Sequence, residues 1–261
     1  MLNLLRHREL ISSFVRRELV GKYRGSLLGM MWSFLNPLLL LGIYTFVFSV
    51  LLKVRFSHST SPVMYGLNLF CGLIPWLAFA EAVGMAPRLI LGNINLVKKT
   101  VFPLEILVVS SVLTGWVHSL FSIGILIAGV LIVEHSISFS ILPLLLLVMI
   151  PQLLLTIGIS WFLASVGVFI RDTGEIVSLA LRLGMYLTPI VYPATVIPER
   201  FRHFLFLNPL AVIVESYRDV IIRGQIPDMM FLLIVSLIGG CFAILGYLWF
   251  MKSKRVFADV I

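Results

Sequence analysis

The most constraining feature of this sequence is a series of long apolar runs. A helix needs roughly 20 residues to cross about 30 Å of hydrocarbon, and five runs reach that length: Leu27–Leu52, Val63–Ala86, Pro103–Val133, Phe139–Ile170 and Met229–Met251. A sixth run, Ile176–Tyr192, is shorter and contains Arg182. Only 12% of the 261 residues are charged, about half the share in a soluble domain. The sequence therefore predicts a single-domain, all-α integral membrane protein with six transmembrane helices.

The distribution of basic residues predicts the orientation. With six spans both termini lie on the same side, and if that side is the cytoplasm it holds 13 of the 20 basic residues: Arg6, Arg8, Arg16, Arg17, Lys22, Arg24, Arg88, Lys98, Lys99, Arg171, Lys252, Lys254 and Arg255. The outside then holds six: Lys53, Arg55, Arg200, Arg202, Arg218 and Arg223. Because cytoplasmic loops carry an excess of Lys and Arg, we expect both termini in the cytoplasm. The net charge of +8 is explained by topology rather than by nucleic-acid binding.

Two cytoplasmic segments carry patterns of their own. Residues 1–25 alternate apolar and basic positions at helical spacing, which predicts an amphipathic helix in the headgroup plane. The loop Pro87–Phe102 has an apolar side and a polar side, and Gly92 interrupts any continuous helix. We expect a short helix with a turn beside it. Docking onto a cytoplasmic partner and a plain connector both remain open for this loop.

The segment Pro193–Pro227 is the most irregular part of the chain. Pro198 and Pro209 each stand where a proline can open a helix, and Asn208 is a suitable N-cap. Up to Gly224 the apolar positions then follow helical periodicity: Leu210, Ile213, Val214, Tyr217, Val220 and Ile221. Helices this short cannot span, and irregular backbone at membrane depth is tolerated only where protein or a water-filled cavity covers it. The pattern predicts short outer gate helices between spans five and six.

Four ionisable residues fall within or beside the apolar runs, where a charge must pair, snorkel or face the bundle. Glu81 and Arg182 are candidates for an intramembrane pair, Glu105 is expected at the interface, and His118 is expected to be a satisfied core residue.

The sequence carries no protease-like or metal-site motif, and its two cysteines, Cys71 and Cys241, lie inside apolar runs. It also contains no GxxxxGK[ST] motif. We therefore expect a chain that is not an enzyme, holds no metal and cannot hydrolyse ATP through a P-loop.

Several motifs occur in order along nearly the whole chain: RRELVGKYRGSLLGMMWSFLNPLLLLGIYTFVFS at Arg16–Ser49, GLIPWLAFAE at Gly72–Glu81, GNINLVKKTVFPLEIL at Gly92–Leu107, VFIRDTGEI at Val168–Ile176, YLTPIVYP at Tyr186–Pro193, LNPLAVIVESYRDVI at Leu207–Ile221, and a closing VFADVI. Together they resemble the permease subunits of ABC polysaccharide exporters of the type-2 ABC transporter family, those of O-antigen, capsule and wall teichoic acid. The resemblance implies the bacterial inner membrane, a lipid-linked polysaccharide substrate, and a homodimer with two copies of a separate ATPase subunit that binds ATP and Mg.

The resemblance also implies roles for particular segments. By analogy Leu4–Tyr23 is an interface helix, and Arg88–Lys99 is a coupling helix that docks on the ATPase through Arg88, Leu89, Asn93, Ile94, Asn95, Lys98 and Lys99. Pro193–Gly224 corresponds to outer gate helices with Pro198, Asn208, Pro209, Tyr217 and Arg218.

A polymer rich in hydroxyl groups cannot cross hydrocarbon, so an exporter of this kind must enclose a polar or aromatic channel. The candidate lining residues are Trp32, Tyr44, Phe48, Trp76, Trp161, Tyr186 and Tyr192. Interfacial aromatic belts are the alternative explanation for each of them. Two alternative functions also remain open: a permease that exports a drug or small lipid, and a membrane scaffold of a glycan-synthesis complex.

Overall fold

The computed structural model describes residues 7–51, 62–98, 102–134, 141–192, 198, 200 and 207–261. Over these residues the regular structure is helical and contains no strand. In chain order the helices are α1 (Arg8–Tyr23), α2 (Trp32–Tyr44), α3 (Pro62–Leu89), α4 (Ile94–Lys98), α5 (Glu105–Glu134), α6 (Ile141–Phe169), α7 (Thr173–Leu187), α8 (Pro209–Ile221), α9 (Met229–Ser253) and α10 (Phe257–Val260). The predicted all-α membrane class is confirmed.

Four helices, α3, α5, α6 and α9, are long and apolar enough to cross a membrane. They match four of the predicted runs. The first run forms α2, a shorter apolar helix that continues as a π-helical stretch over Thr45–Leu51. The sixth run forms α7, whose 15 residues extend about 22 Å. Because α2 and α7 fall short of a full crossing as regular helices, the count of six spans stays a prediction.

Helix α3 lies at the centre of the bundle and packs against α2, α5, α6, α7 and α8. It is apolar on all sides, as expected for a helix that is buried all round. One core cluster surrounds most of its length and includes Phe70, Ile213 and Val235. A second cluster gathers at its end, where Ile90 packs with Trp161 and other residues of α5, α6, α9 and α10.

Helices α6 and α9 form the most extensive helix pair. Small residues allow the close approach: Gly158 lies against the backbone of Phe242, and Gly246 lies against the backbone of Gly158. Glycines at the contact bring helix backbones together where lipid supplies no hydrophobic driving force.

The connecting elements follow their predicted signals. After α3 a 3₁₀ turn over Leu91–Asn93 leads into α4, which confirms a short helix with a turn beside it. Helix α8 begins after Asn208, whose side-chain Oδ1 accepts from the Leu210 amide at 3.0 Å. Gly224 follows the helix with a φ of +62°, a backbone conformation that favours glycine. The helix predicted to begin at Pro198 falls mostly on residues outside the described ranges, as do residues 1–6 of the predicted interface helix.

Candidate functional site

Helix α1 packs along α5. The Phe14 ring lies 5.2 Å from that of Phe102, and one helical turn later the Thr114 hydroxyl donates to Glu18 Oε2 at 3.0 Å. Burial raises the pKa of the Glu18 carboxyl above its usual range, although the bond from Thr114 offsets part of the rise. Each of these two contacts joins a particular pair of side chains, and together they fix α1 to the bundle.

The last turn of α1 ends in a cluster of three ionisable residues, Lys22, Glu81 and His118. Lys22 Nζ donates to Glu81 Oε1 at 2.7 Å, and His118 Nδ1 lies 3.2 Å from the same oxygen. The candidate pair of Glu81 with Arg182, which the sequence left open, does not form. Arg182 is exposed on α7 and its Nε donates to Ser178 O in its own helix. Glu81 is paired instead with a cation 59 positions earlier in the chain.

The depth of this cluster follows from helix lengths. About 20 residues of helix span the hydrocarbon. Twenty residues counted from Pro62 along α3 end at Glu81, and twenty counted back from Glu134 along α5 end at Gly115. The two counts meet at one level, because Gly115 packs against Glu81. We infer that the cluster lies at one edge of the hydrocarbon layer, where a partly hydrated ion pair costs less than at the centre.

A cavity of about 440 Å³ opens beside the cluster. Its walls include the three ionisable residues, apolar side chains of α3, and residues of α2 and α5, among them Trp32, Asn36 and Ser119. His118 Nε2 is buried and has no hydrogen-bond partner among the described residues. His118 is therefore bound through one ring nitrogen only, which differs from the expected fully satisfied core histidine.

Arg218 forms a second polar centre, where α8 meets the end of α7 and α3. Its guanidinium is 0% exposed and donates to three backbone carbonyls, those of Pro189, Ile190 and Asn68, at 2.6, 2.7 and 3.2 Å. Its Nη1 also donates to Glu215 Oε1 at 2.7 Å. Arg218, which the sequence analysis counts among the outside cations, is fully buried within the chain and is not a loop cation exposed to solvent.

Other polar bonds fix the same region. The Tyr217 hydroxyl donates to Gln152 Oε1 at 2.8 Å, and Gln152 Nε2 donates to Pro75 O at 3.0 Å. Asn208 Nδ2 donates to the Thr188 hydroxyl at 3.1 Å. The structure thus brings together three of the predicted gate residues, Asn208, Tyr217 and Arg218. Pro209 is half-buried at the start of α8, and Pro198 is exposed.

The predicted ATPase-docking residues divide by exposure. Ile94, Asn95 and Lys98 of α4 are exposed, and Asn93 is half-buried with its Nδ2 donating to Leu89 O at 2.9 Å. Leu89 packs within the second core cluster at 8% exposure. Its side chain faces the interior of this chain, so its assignment as a docking residue is wrong.

Arg88, another predicted docking residue, pairs with Glu175 of α7 at 2.7 Å, and both side chains are exposed. The salt bridge connects the last turn of α3 to the start of α7. Lys99 lies outside the described residues.

The predicted channel aromatics also divide. Trp76 packs under Gly184 of α7, and the Trp161 indole Nε1 donates to Glu105 O at 3.4 Å; both rings are buried inside the subunit. Neither can line a channel from that position, so their assignment is wrong. Tyr186 is exposed on α7, and Tyr192 donates to its carbonyl at 2.8 Å.

The other three predicted aromatics lie on the first helical run. Trp32 lines the cavity beside Lys22. Tyr44 is half-buried and packs on the larger core cluster. The Phe48 side chain is outside the described part of the chain.

Glu105, the first residue of α5, makes a contact that the sequence analysis does not predict. It is buried, and Lys254 Nζ after α9 donates to its Oε2 at 2.7 Å. Glu105 does lie at a helix end, as expected for a residue near the interface, but its side chain is buried against Lys254. No sequence signal near either residue points to this pair, which joins positions 149 apart.

A bundle of apolar helices, four of them long enough to cross a membrane, defines a multi-pass membrane protein. The chain belongs to the ABC-2 type transporter family, whose profile matches residues 9–222. It is 32% identical over 253 residues to an O-antigen export system permease protein, RfbA, of Klebsiella pneumoniae, covering 97% of this chain and 95% of that protein. The Myxococcus xanthus protein of the same name is 31% identical over 86% of this chain and 85% of its own length. The polysialic acid transport protein KpsM of Escherichia coli is 27% identical over 81% of this chain and 80% of its own length.

Proposed function

We propose that this chain is the membrane-spanning subunit of an ATP-driven exporter that moves a lipid-linked polysaccharide across the bacterial inner membrane. The observation that carries the proposal is the similarity to O-antigen export permeases over nearly the full length of both chains. Length matters because the similarity includes the loop after α3, the α7–α8 region and α9 together. The glycan is of the O-antigen, capsule or teichoic acid type.

The proposed subunit works as a homodimer with two copies of an ABC ATPase, which binds ATP and Mg. The ATPase docks on α4, where exposed Ile94 and Asn95 lie beside Lys98. The Arg88–Glu175 salt bridge ties this region to α7. Arg88 lies in the last turn of α3, which leads through the 3₁₀ turn into α4. A movement of the docking helix is therefore passed through that turn and the salt bridge to α7. Helix α1 serves as the interface helix and is held to the bundle through Lys22 and Glu81.

In the proposed topology six spans cross the membrane, with both termini in the cytoplasm. Helix α2 with its π-helical extension forms the first span, and α7 with the segment after it forms the fifth. The exposed face of α7 then looks toward the second subunit and the channel; it carries Ile176, Leu179, Arg182, Leu183, Tyr186 and Leu187. Helix α8, fixed through Arg218, is the outer gate. Besides Tyr186, four of the predicted aromatics remain proposed channel residues. Trp32, which lines the cavity beside Lys22, lies on the first span with Tyr44 and Phe48. Tyr192 lies beside Tyr186, at the end of α7.

The experiment that tests the proposal is deletion of the gene in its native bacterium, followed by measurement of lipid-linked glycan. We expect surface polysaccharide to disappear and the lipid-linked polysaccharide to accumulate on the cytoplasmic side of the inner membrane. Re-expression of the wild-type chain restores the surface glycan. Normal surface polysaccharide in the deletion strain would exclude this function. Loss of polymer synthesis without accumulation would support a scaffold of the glycan-synthesis complex instead.

A further inference from the structure

A groove between α6 and α9 takes no part in the proposed function. Its volume is about 590 Å³. Its floor is formed where Gly158 and Gly246 bring the two helix backbones together. Its walls are apolar side chains, including Phe162, Phe242, Leu245 and Leu248. These side chains are exposed on the outside of the bundle, so the groove opens toward lipid.

One end of the groove is polar. Trp249 and Lys252 line that end, and the Trp249 ring lies 5.9 Å from that of Phe162. A second recess of about 620 Å³ continues from it, sharing Leu248 and Lys252 and adding Lys254 and Arg255. The surface is therefore a continuous strip that is apolar along the helices and basic at their end.

Helix geometry places the two halves of the strip at different depths. With a rise of 1.5 Å per residue, Phe242 lies about 20 Å along α9 from Met229, and Lys252 lies about 35 Å along it. Since hydrocarbon is about 30 Å thick, the apolar walls lie within it while the cations reach the headgroup layer. A tryptophan at that boundary is typical of interfacial anchoring.

The cations differ in whether they already have a partner. Lys254 is paired with buried Glu105 at 2.7 Å. Lys252 and Arg255 are exposed and form no salt bridge with any residue the structure describes. Two unneutralised cations next to an apolar groove at headgroup depth are complementary to a molecule with an anionic head and a hydrocarbon tail.

We propose that this strip binds an anionic phospholipid. One acyl chain lies in the groove over Gly158 and Gly246, and the phosphate of the headgroup contacts Lys252 and Arg255. Basic pockets between transmembrane helices bind anionic headgroups in this way. A second copy of the chain fits less well, because two-fold contact at this strip brings the same cations of both copies together. Such a lipid stabilises the packing of α6 on α9, the most extensive helix contact in the fold.

The test uses the purified full-length chain and counts bound lipid by native mass spectrometry. The probes are dioleoyl phosphatidylglycerol and dioleoyl phosphatidylcholine, which share acyl chains and differ in net charge. In the variant Lys252→Gln with Arg255→Gln, we expect phosphatidylglycerol binding about 30-fold weaker and phosphatidylcholine binding unchanged. The control, Arg16→Gln with Arg171→Gln, removes two other exposed cations and should retain wild-type binding. The variant Leu245→Trp fills the groove with all cations intact and should also weaken phosphatidylglycerol binding.

Three results would overturn the proposal. If the control variant loses as much phosphatidylglycerol binding, the effect comes from the general surface charge and not from this strip. If the wild type binds both lipids with equal affinity, the cations have no role in binding. Efficient disulfide cross-linking between two copies carrying Leu245→Cys, in a Cys241→Ser background, would show that a second subunit covers the groove.

Discussion

Arg218 Nη1 donates to the carbonyl oxygen of Pro189 at 2.6 Å, which joins the last turn of α8 to the chain just after α7. Helix α7 ends at Leu187 and the backbone at Thr188 is extended, so the following carbonyls have no helical partner. Exposed backbone carbonyls are costly at membrane depth. Arg218 satisfies two of them, those of Pro189 and Ile190, with donors in the fixed geometry of a guanidinium. The region proposed as the outer gate is thus held by one buried side chain.

Replacing Arg218 by Gln should destabilise the protein strongly. Three carbonyls lose their donor, and each buried acceptor left unsatisfied costs about 1–3 kcal/mol. We expect a loss of at least about 3 kcal/mol, or a melting temperature lower by about 6–12 °C, in detergent. Arg218→Lys should recover little of this loss, since an ammonium cannot reproduce the guanidinium fork. The control is Arg182→Gln, an exposed arginine of α7 whose Nε donates to a carbonyl of its own helix. A melting temperature for Arg218→Gln equal to that of the control would show that this network contributes little.

The pair of Lys22 and Glu81 should behave as a unit. Lys22→Glu places two carboxylates together beside His118, and Glu81→Lys places two cations there. Because the Lys22 side chain is 44% exposed, solvent screening limits the expected loss to about 1 kcal/mol for each single variant, or about 2–4 °C in melting temperature. The double variant Lys22→Glu with Glu81→Lys should recover most of the loss. Additive losses in the double variant would contradict the pairing, and Arg24→Gln, an exposed cation after α1, serves as the control.

Two glycines of α9 provide a matched test of helix packing. A Cβ at Gly246 would overlap the backbone of Gly158, whereas a Cβ at Gly240 meets no atom within 4 Å. We expect Gly246→Ala to destabilise by about 1–3 kcal/mol through overpacking. Gly240→Ala should leave stability unchanged or slightly raised, because Ala favours the helix over Gly. Thermal unfolding of both variants checks the difference; similar melting temperatures would mean that α6 and α9 approach less closely than the structure shows.

The sequence predicts the long helices well and their contacts poorly. Met229–Met251 is a run of apolar residues bounded by charges, and α9 covers Met229–Ser253. The start of α8 follows from Asn208 before Pro209, a local signal. The partner of Glu81 depends on which helices pack together, and both Lys22 and Arg182 offer the required charge.

Side-chain orientation marks a similar limit. Trp76 and Trp161 are buried although aromatic residues in apolar runs also suit a channel, because a helix that is apolar on all sides gives no signal of which face is inside. Arg218 did carry a signal: it lies four residues after Val214 and three before Ile221, on the apolar stripe of α8. A cation at that position on a helix face must be buried and bonded.

The orientation can be tested with reporters. If six spans place both termini inside, a reporter active only in the cytoplasm should work when fused after Ile261. A reporter active only outside should work when inserted near Ser59 or Arg202. A cytoplasmic signal from the insertion at Arg202 would exclude α7 as the core of a fifth span, and the proposed outer gate with it.

The docking of the ATPase should depend on apolar contact at α4. Ile94 is 41% exposed and has no packing role in either core cluster, so Ile94→Asp should leave the melting temperature unchanged. Burying an isoleucine against a partner contributes roughly 1.5–3 kcal/mol, which predicts ATPase binding about 10- to 100-fold weaker and a matching loss of surface glycan. Lys98→Ala should weaken binding by less than about fivefold, since exposed charges contribute under about 1 kcal/mol.

Leu89→Asp separates docking from folding in the same loop. Its carboxylate would enter the core cluster around Ile90 and Trp161, where an unpaired charge is costly. We therefore expect Leu89→Asp to lower the melting temperature sharply, while Ile94→Asp affects only the partner. Co-purification of the ATPase and thermal unfolding, measured on both variants, distinguish the two effects. If Ile94→Asp retains the ATPase at wild-type affinity and exports normally, α4 is a connector and the docking surface lies elsewhere on the chain.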